Sequence, residues 1–105
     1  MSHDKIIAAI AAANLVLAEI DKDTRNHYVL EVGDTTGVWT RIVRRDIWDG
    51  KLVEHSGSAW GFIRNDDLTL WKAAGWKAPA KNKARGVLAD LHDPKRVAAW
   101  KYSIS

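Results

Sequence analysis

Residues 59–73 read AWGFIRNDDLTLWKA, and this stretch decides the fold. Residues 59–64 and 68–73 are rich in aromatic and branched side chains, as strands are. Asn65, Asp66 and Asp67 stand between them. Their short polar side chains bond nearby backbone groups, so they close turns. The stretch reads as a hairpin, which commits the chain to a sheet with short connections. The carboxylate pair Asp66-Asp67 belongs to this turn, not to acid–base chemistry.

Upstream, Ser56-Gly57-Ser58 is a break and Asp49-Gly50 is a strong hairpin dipeptide. It joins a strand over 38–45 to a return strand over 51–55. The 38–45 strand has two faces, Val38/Thr40/Ile42/Arg44 and Trp39/Arg41/Val43/Arg45. A turn over 33–37 precedes it. Before that, 27–32 alternates Tyr28, Leu30 and Val32 against His27, Val29 and Glu31. At the start, Ile6, Ile10, Ala13, Leu17 and Ile20 recur at spacings of three and four. They form one apolar stripe on a helix of about four turns. Ser2 or Asp4 can cap it, and the polar run from Asp21 to Asn26 ends it. Such a stripe calls for a sheet to cover.

Downstream, Asp93 before Pro94 is an N-cap followed by the favoured first helical position. A short helix over 94–100 follows, and 101–105 is an edge strand or a frayed end. The expectation is a single α+β domain over 1–105. Its N-terminal helix packs on a mainly antiparallel sheet of four or five strands, and a short helix closes the chain.

The totals agree with a small globular chain. Of 105 residues, 47% are hydrophobic and 28% charged. There is no cysteine, which excludes disulfides and thiolate metal sites. The apolar stretch 6–20 is too short to span a bilayer and follows His3, Asp4 and Lys5, not a basic opening. The reading is a soluble, cytoplasmic protein without a membrane partner. Net charge is +3. Residues 1–70 carry eight Lys and Arg against eleven Asp and Glu, and residues 71–105 carry eight against two. The basic end favours an anionic partner there.

That excess centres on residues 71–86, WKAAGWKAPAKNKARG. Lys72, Lys77, Lys81, Lys83 and Arg85 are cationic, with no carboxylate between Asp67 and Asp90. Lysines act as point charges, and Arg85 can fork onto a phosphate. Pro79 stiffens the loop, and the alanines let a ligand approach the backbone. Trp71 and Trp76 can stack a base. The alternative is a solvated basic loop whose tryptophans anchor it to the core.

Other constellations are weaker. His3, His27, His55 and His92 lack metal-ligand spacing. Ser56 and Ser58 beside His55 match no nucleophile motif. Arg41, Arg44 and Arg45 either extend the basic surface or are edge-strand charges. No cofactor, metal or catalytic group is expected.

The run from Lys72 to Lys81, KAAGWKAPAK, followed by Ala84-Arg85-Gly86, resembles a motif of the form KAASWKAPAKxARG. That motif belongs to small uncharacterised proteins of tailed bacteriophages. In this chain Gly75 stands for the usual serine, and Asn82-Lys83 lengthens the spacer by one residue. The resemblance implies a phage or prophage origin and weight on Trp76, Lys77, Pro79, Lys81 and Arg85.

The leading expectation is a non-enzymatic phage accessory protein. It would bind nucleic acid or a nucleotide through residues 75–86, with Lys72, Lys77, Lys81, Lys83 and Arg85 on phosphate and Trp71 or Trp76 stacking. The second is a protein-interaction module inhibiting a host enzyme or defence system, which predicts a contiguous exposed tryptophan patch. An enzyme acting on phosphate substrates ranks last, for want of a base–nucleophile pair.

Overall fold

The computed structural model describes residues 2–54 and 57–105. Helix α1 runs Ser2–Ile20 and is followed by strands β1 (Asn26–Thr35), β2 (Trp39–Trp48), β3 (Lys51–Leu52), β4 (Ser58–Arg64), β5 (Thr69–Trp71) and β6 (Gly86–Val87). A 3-10 helix, Leu88–His92, leads into α2, Pro94–Ala99. The six strands form one antiparallel sheet in the order β1-β2-β4-β5-β6, with β3 paired to the far end of β2. This is the α+β architecture expected, with α1 across one sheet face and a short helix near the C-terminus.

Ile6, Ala9, Ile10, Ala13 and Leu17 of α1 are buried against Leu30, Ile42, Ile63 and Leu70 from four strands. Ile20, the last residue of the expected stripe, is exposed, because the helix ends there. Asp4 lies inside the first turn and so does not act as a cap. Asp93 caps α2 as expected, accepting from the Lys95 amide at 3.0 Å.

β1 is an edge strand, and α1 guards it. The Asn14 side chain accepts from the Leu30 amide at 2.7 Å and donates to the Leu30 carbonyl at 2.9 Å. One amide thereby satisfies two outward backbone groups of the edge. β1 also runs past Gly33 to Thr35, further than the expected turn at 33–37. The actual turn is tighter, with the Thr36 amide bonded to the Trp39 carbonyl at 2.8 Å. Asp49 and Gly50 adopt φ of 51° and 77°, the two left-handed positions of a tight hairpin turn. Their return strand is two residues long. Val53 and Glu54, which the expected strand includes, are not strand, and His55 and Ser56 lie outside the described residues.

The pairing of β4 on β2 is irregular between Ile42 and Val43, where Trp60 has no opposite residue. Strict alternation would set Trp60 on the face of Phe62. The irregularity turns it into the core instead, fully buried, with its Nε1 donating to the Trp100 carbonyl at 2.8 Å. Gly61 then leaves room for Ile104. A Cβ at Gly61 would collide with the Ile104 side chain and sit 3.0 Å from the Trp71 carbonyl oxygen. Residues 101–105 are therefore neither an edge strand nor a frayed end. They cross the sheet, with Ile104 fully buried and its amide bonded to the Trp60 carbonyl at 2.9 Å.

No helix among the described residues is long and apolar enough to cross a membrane. The second sheet face carries Trp39, Arg41, Val43 and Arg45 of β2, opposite Phe62 and Arg64 of β4 and, beyond them, Trp71 of β5. None of the helices packs there, so this face positions the candidate site.

Candidate functional site

The chain leaves β5 at Trp71 and makes two successive projections, not one loop. In the first, the Ala80 amide returns to the Lys72 carbonyl at 2.7 Å, and Ala73 pairs with Pro79. At its tip the amides of Ala74 and Gly75 both donate to the Ala78 carbonyl, at 3.0 and 3.3 Å. Pro79 is buried and has no amide to satisfy. The second projection spans 81–84 and closes when the Arg85 amide bonds the Leu70 carbonyl at 2.7 Å. Gly86 and Val87 then pair with β5.

The expected site residues separate accordingly. Lys72 and Lys77 ride on the first projection, and Lys81 and Lys83 on the second, all four exposed. None of these lysines forms an ion pair among the described residues. Arg85 is half-buried where the chain rejoins the sheet. Its Nη2 lies 3.4 Å from the Asn82 Oδ1, and its Nε is enclosed without a hydrogen-bond partner. Asn82, in the lengthened spacer, thus orients Arg85.

The tryptophans also differ. Trp71 is half-buried on the second sheet face, edge-on to Trp39 at 5.4 Å, with its Nε1 donating to the Thr69 hydroxyl. Trp76 folds back across the sheet onto β2. The Arg41 guanidinium lies 4.3 Å from its ring centre, and Arg41 Nε donates to the Trp76 carbonyl at 2.7 Å. Trp76 remains 47% exposed, while the Arg41 side chain is only 12% exposed. Phe62 is buried beneath, 5.9 Å from the same guanidinium.

Arg41 is the residue that sequence reasoning undervalued. It was grouped with Arg44 and Arg45, but the three do not form one basic surface. Arg44 faces the opposite side of the sheet, where it stacks on Tyr28 at 4.5 Å and bonds the Tyr102 carbonyl at 2.8 Å. Arg45 lies 3.6 Å from Glu31. The face Trp39/Arg41/Val43/Arg45 was visible as alternation, but its partner Trp76 is 35 residues away.

Between the start of β4 and the first projection lies a shallow groove of about 340 Å³, lined by residues 57–59 and 73–76. Its walls are glycine, alanine and serine, apart from Trp76. Lys72 and Lys77 directly flank lining residues in the chain. The groove escaped the sequence reading because Ser56-Gly57-Ser58 reads only as a break before the strand that starts at Ala59.

The remaining candidates have structural roles. Asp66 pairs with Arg64 at 3.0 Å. The Thr69 hydroxyl, donating at 2.7 Å, holds the Asp67 carboxyl below its ordinary value of 3.8, helped by the Thr69 amide and the Arg64 charge. No group of three or more metal-ligating side chains converges among the described residues. Of the serine–histidine trio, Ser58 opens β4, and His55 and Ser56 lie outside the described residues. Comparison with models of known families, with curated proteins and with solved structures finds no match.

Proposed function

We propose that this chain is a non-enzymatic accessory protein of phage or prophage origin, acting in the host cytoplasm. It binds nucleic acid or a nucleotide through the two projections over residues 72–85. One observation carries the reading. Four lysines, exposed and without ion-pair partners among the described residues, stand on two projections in a segment without a carboxylate, and two of them, Lys72 and Lys77, flank the lining of a groove whose one large wall is Trp76. Surfaces normally mix both signs of charge, so an acid-free segment of this length favours an anion. The lysines supply the phosphate contacts, and the tryptophan supplies a stacking surface. The test is filter binding with DNA, RNA and nucleotides. Lys77→Ala with Lys81→Ala is expected to weaken binding and to flatten its salt dependence. Binding unaffected by this pair removes the site.

A second reading, a module that inhibits a host protein, draws on another surface. The two exposed tryptophans, Trp48 and Trp76, do not form the contiguous patch that it anticipated, because Trp48 ends β2 while Trp76 sits over Arg41 within it. The apolar candidate is α1, where Leu15 is 75% exposed beside Val16 and Ile20. Leu15→Glu separates the readings, since it should abolish capture of a host protein and leave nucleic-acid binding intact.

A further inference from the structure

We infer that the ligand of this site is a single-stranded nucleic acid, one of whose unpaired bases lies in the groove against Trp76. The inference rests on the phosphate-binding reading and narrows it to one substrate class.

The chemistry of the groove divides base from phosphate. Its lining side chains bear no charge. An anion gains nothing from such walls, whereas a flat uncharged ring gains stacking area and close contact with backbone. The room comes from missing side chains. A Cβ at Gly75 would meet nothing within 4 Å, and one at Gly57 would only touch Arg45 Cδ and Val43 Cγ1 at 3.8 Å. The cations stand outside, with Lys72 next to Ala73 and Lys77 next to Trp76. Base inside and phosphate at the rim is how a strand with splayed bases is held.

Trp76 is prepared for this role. Arg41 lies against the ring and does not line the groove, which leaves the rest of the half-exposed ring for a base. The bond from Arg41 Nε to the Trp76 carbonyl fixes the residue in advance. Less conformational freedom is then lost when a base arrives. A base, the indole and the guanidinium make a continuous stack.

The alternatives fit less well. A duplex keeps its bases paired, and its major groove takes a protruding element. The Trp76 tip is instead folded down on the sheet. A free nucleotide concentrates its charge on one phosphate chain, which calls for an enclosed pocket with converging cations. Here the groove is shallow, and the lysines are spread over two projections.

The experiment is fluorescence anisotropy with a labelled oligothymidylate of about twelve nucleotides, within the site sizes of such proteins. The same length of duplex is the second probe, and ATP and GTP serve as unlabelled competitors. The single strand is expected to bind at least about tenfold more tightly than the duplex. Trp76→Ala should cost about tenfold or more, as loss of one stacked base does, with most affinity kept by Trp76→Phe. Ala74→Leu, which fills the groove from an exposed position, should weaken binding without touching a cation. Duplex binding equal to single-strand binding, or competition by ATP at concentrations where the oligonucleotide fails, overturns the inference. In either case the phosphate reading survives if the lysine variants still weaken binding. A single-strand preference indifferent to both Trp76→Ala and Ala74→Leu overturns the groove assignment. Absence of binding to every probe overturns both.

Discussion

The guanidinium of Arg41 and the indole of Trp76 are joined twice, by a stack at 4.3 Å and by a hydrogen bond from Nε to the Trp76 carbonyl at 2.7 Å. The two residues come from β2 and from a loop tip beyond β5, so the pair clips the projection onto the sheet. Arg41 also lies 3.2 Å from Asp34, but that carboxylate is almost wholly in water and adds little. Arg41→Ala is expected to destabilise the protein by about 1–2 kcal/mol. The Ala74 and Ala80 amides, which close the projection, should exchange faster, while strand amides such as Ile42 stay protected. Arg41→Lys should not restore the clip, because an ammonium lacks the flat fork. Unchanged exchange at Ala74 in Arg41→Ala would show that the tip holds itself.

Gly61 and Ile104 test the C-terminal crossing. Gly61→Ala places a methyl group against the Ile104 side chain and should cost about 1–3 kcal/mol in urea unfolding. Ile104→Ala alone should cost about 2–5 kcal/mol, since Ile104 is fully buried. Together the two should cost less than their sum, by more than about 0.5 kcal/mol, because the second removes what the first collides with. Simple additivity would mean that the tail does not rest on Gly61.

Asn14 guards the β1 edge with one donor and one acceptor on Leu30. Asn14→Ala should cost about 1–3 kcal/mol and leave the Leu30 backbone open to another strand. Sedimentation should then show concentration-dependent association that the parent lacks. Asn14→Asp keeps the acceptor but turns a carboxylate oxygen towards the Leu30 carbonyl. It should therefore be less stable than Asn14→Ala at neutral pH and recover in acid, once the carboxyl is protonated and can donate.

These contacts mark where the sequence was legible. The helical stripe, the Asp49-Gly50 turn and the Asp93-Pro94 cap are local signals, and each settled where its physics said. The bulge at Trp60 carries no local mark, because it arises from how Gly61 and Ile104 share space. β6 has two residues and therefore no period. It exists because the Leu70 edge accepts it. Ile104 stands alone among polar neighbours, so its burial had no pattern to reveal it. At the site, the charge of residues 71–86 was legible as composition. The division into two projections was not, since it depends on the Ala80 amide returning to the Lys72 carbonyl and the Arg85 amide to the Leu70 carbonyl.

Asp21 and Lys101 give the pH prediction. Asp21 directly follows α1 and is 6% exposed, and Lys101 Nζ donates to its Oδ1 at 2.7 Å from the far end of the chain. The bond to Asp21, with the attraction of its charge, raises the Lys101 ammonium above the ordinary lysine value of 10.5, against the opposing pull of burial. A group whose folded value is raised stabilises the fold while the proton is held in both states. That contribution is full below about pH 10.5 and is lost as pH climbs through the higher folded value. Neutral and acid stability should not change on this account. Lys101→Met should cost about 1–3 kcal/mol at pH 7, because it leaves the Asp21 carboxylate buried without its cation. It should also remove part of the alkaline loss of stability. Tyr28 and Tyr102 lie near Lys101, so the difference between parent and Lys101→Met, followed by urea unfolding across the alkaline range, isolates the lysine. Asp21→Asn should likewise blunt the alkaline loss, with less cost at neutral pH, since the amide oxygen still accepts from Lys101 and no charge remains buried. An alkaline transition identical in all three proteins would mean that the Asp21–Lys101 bond does not tie the tail to the helix in solution.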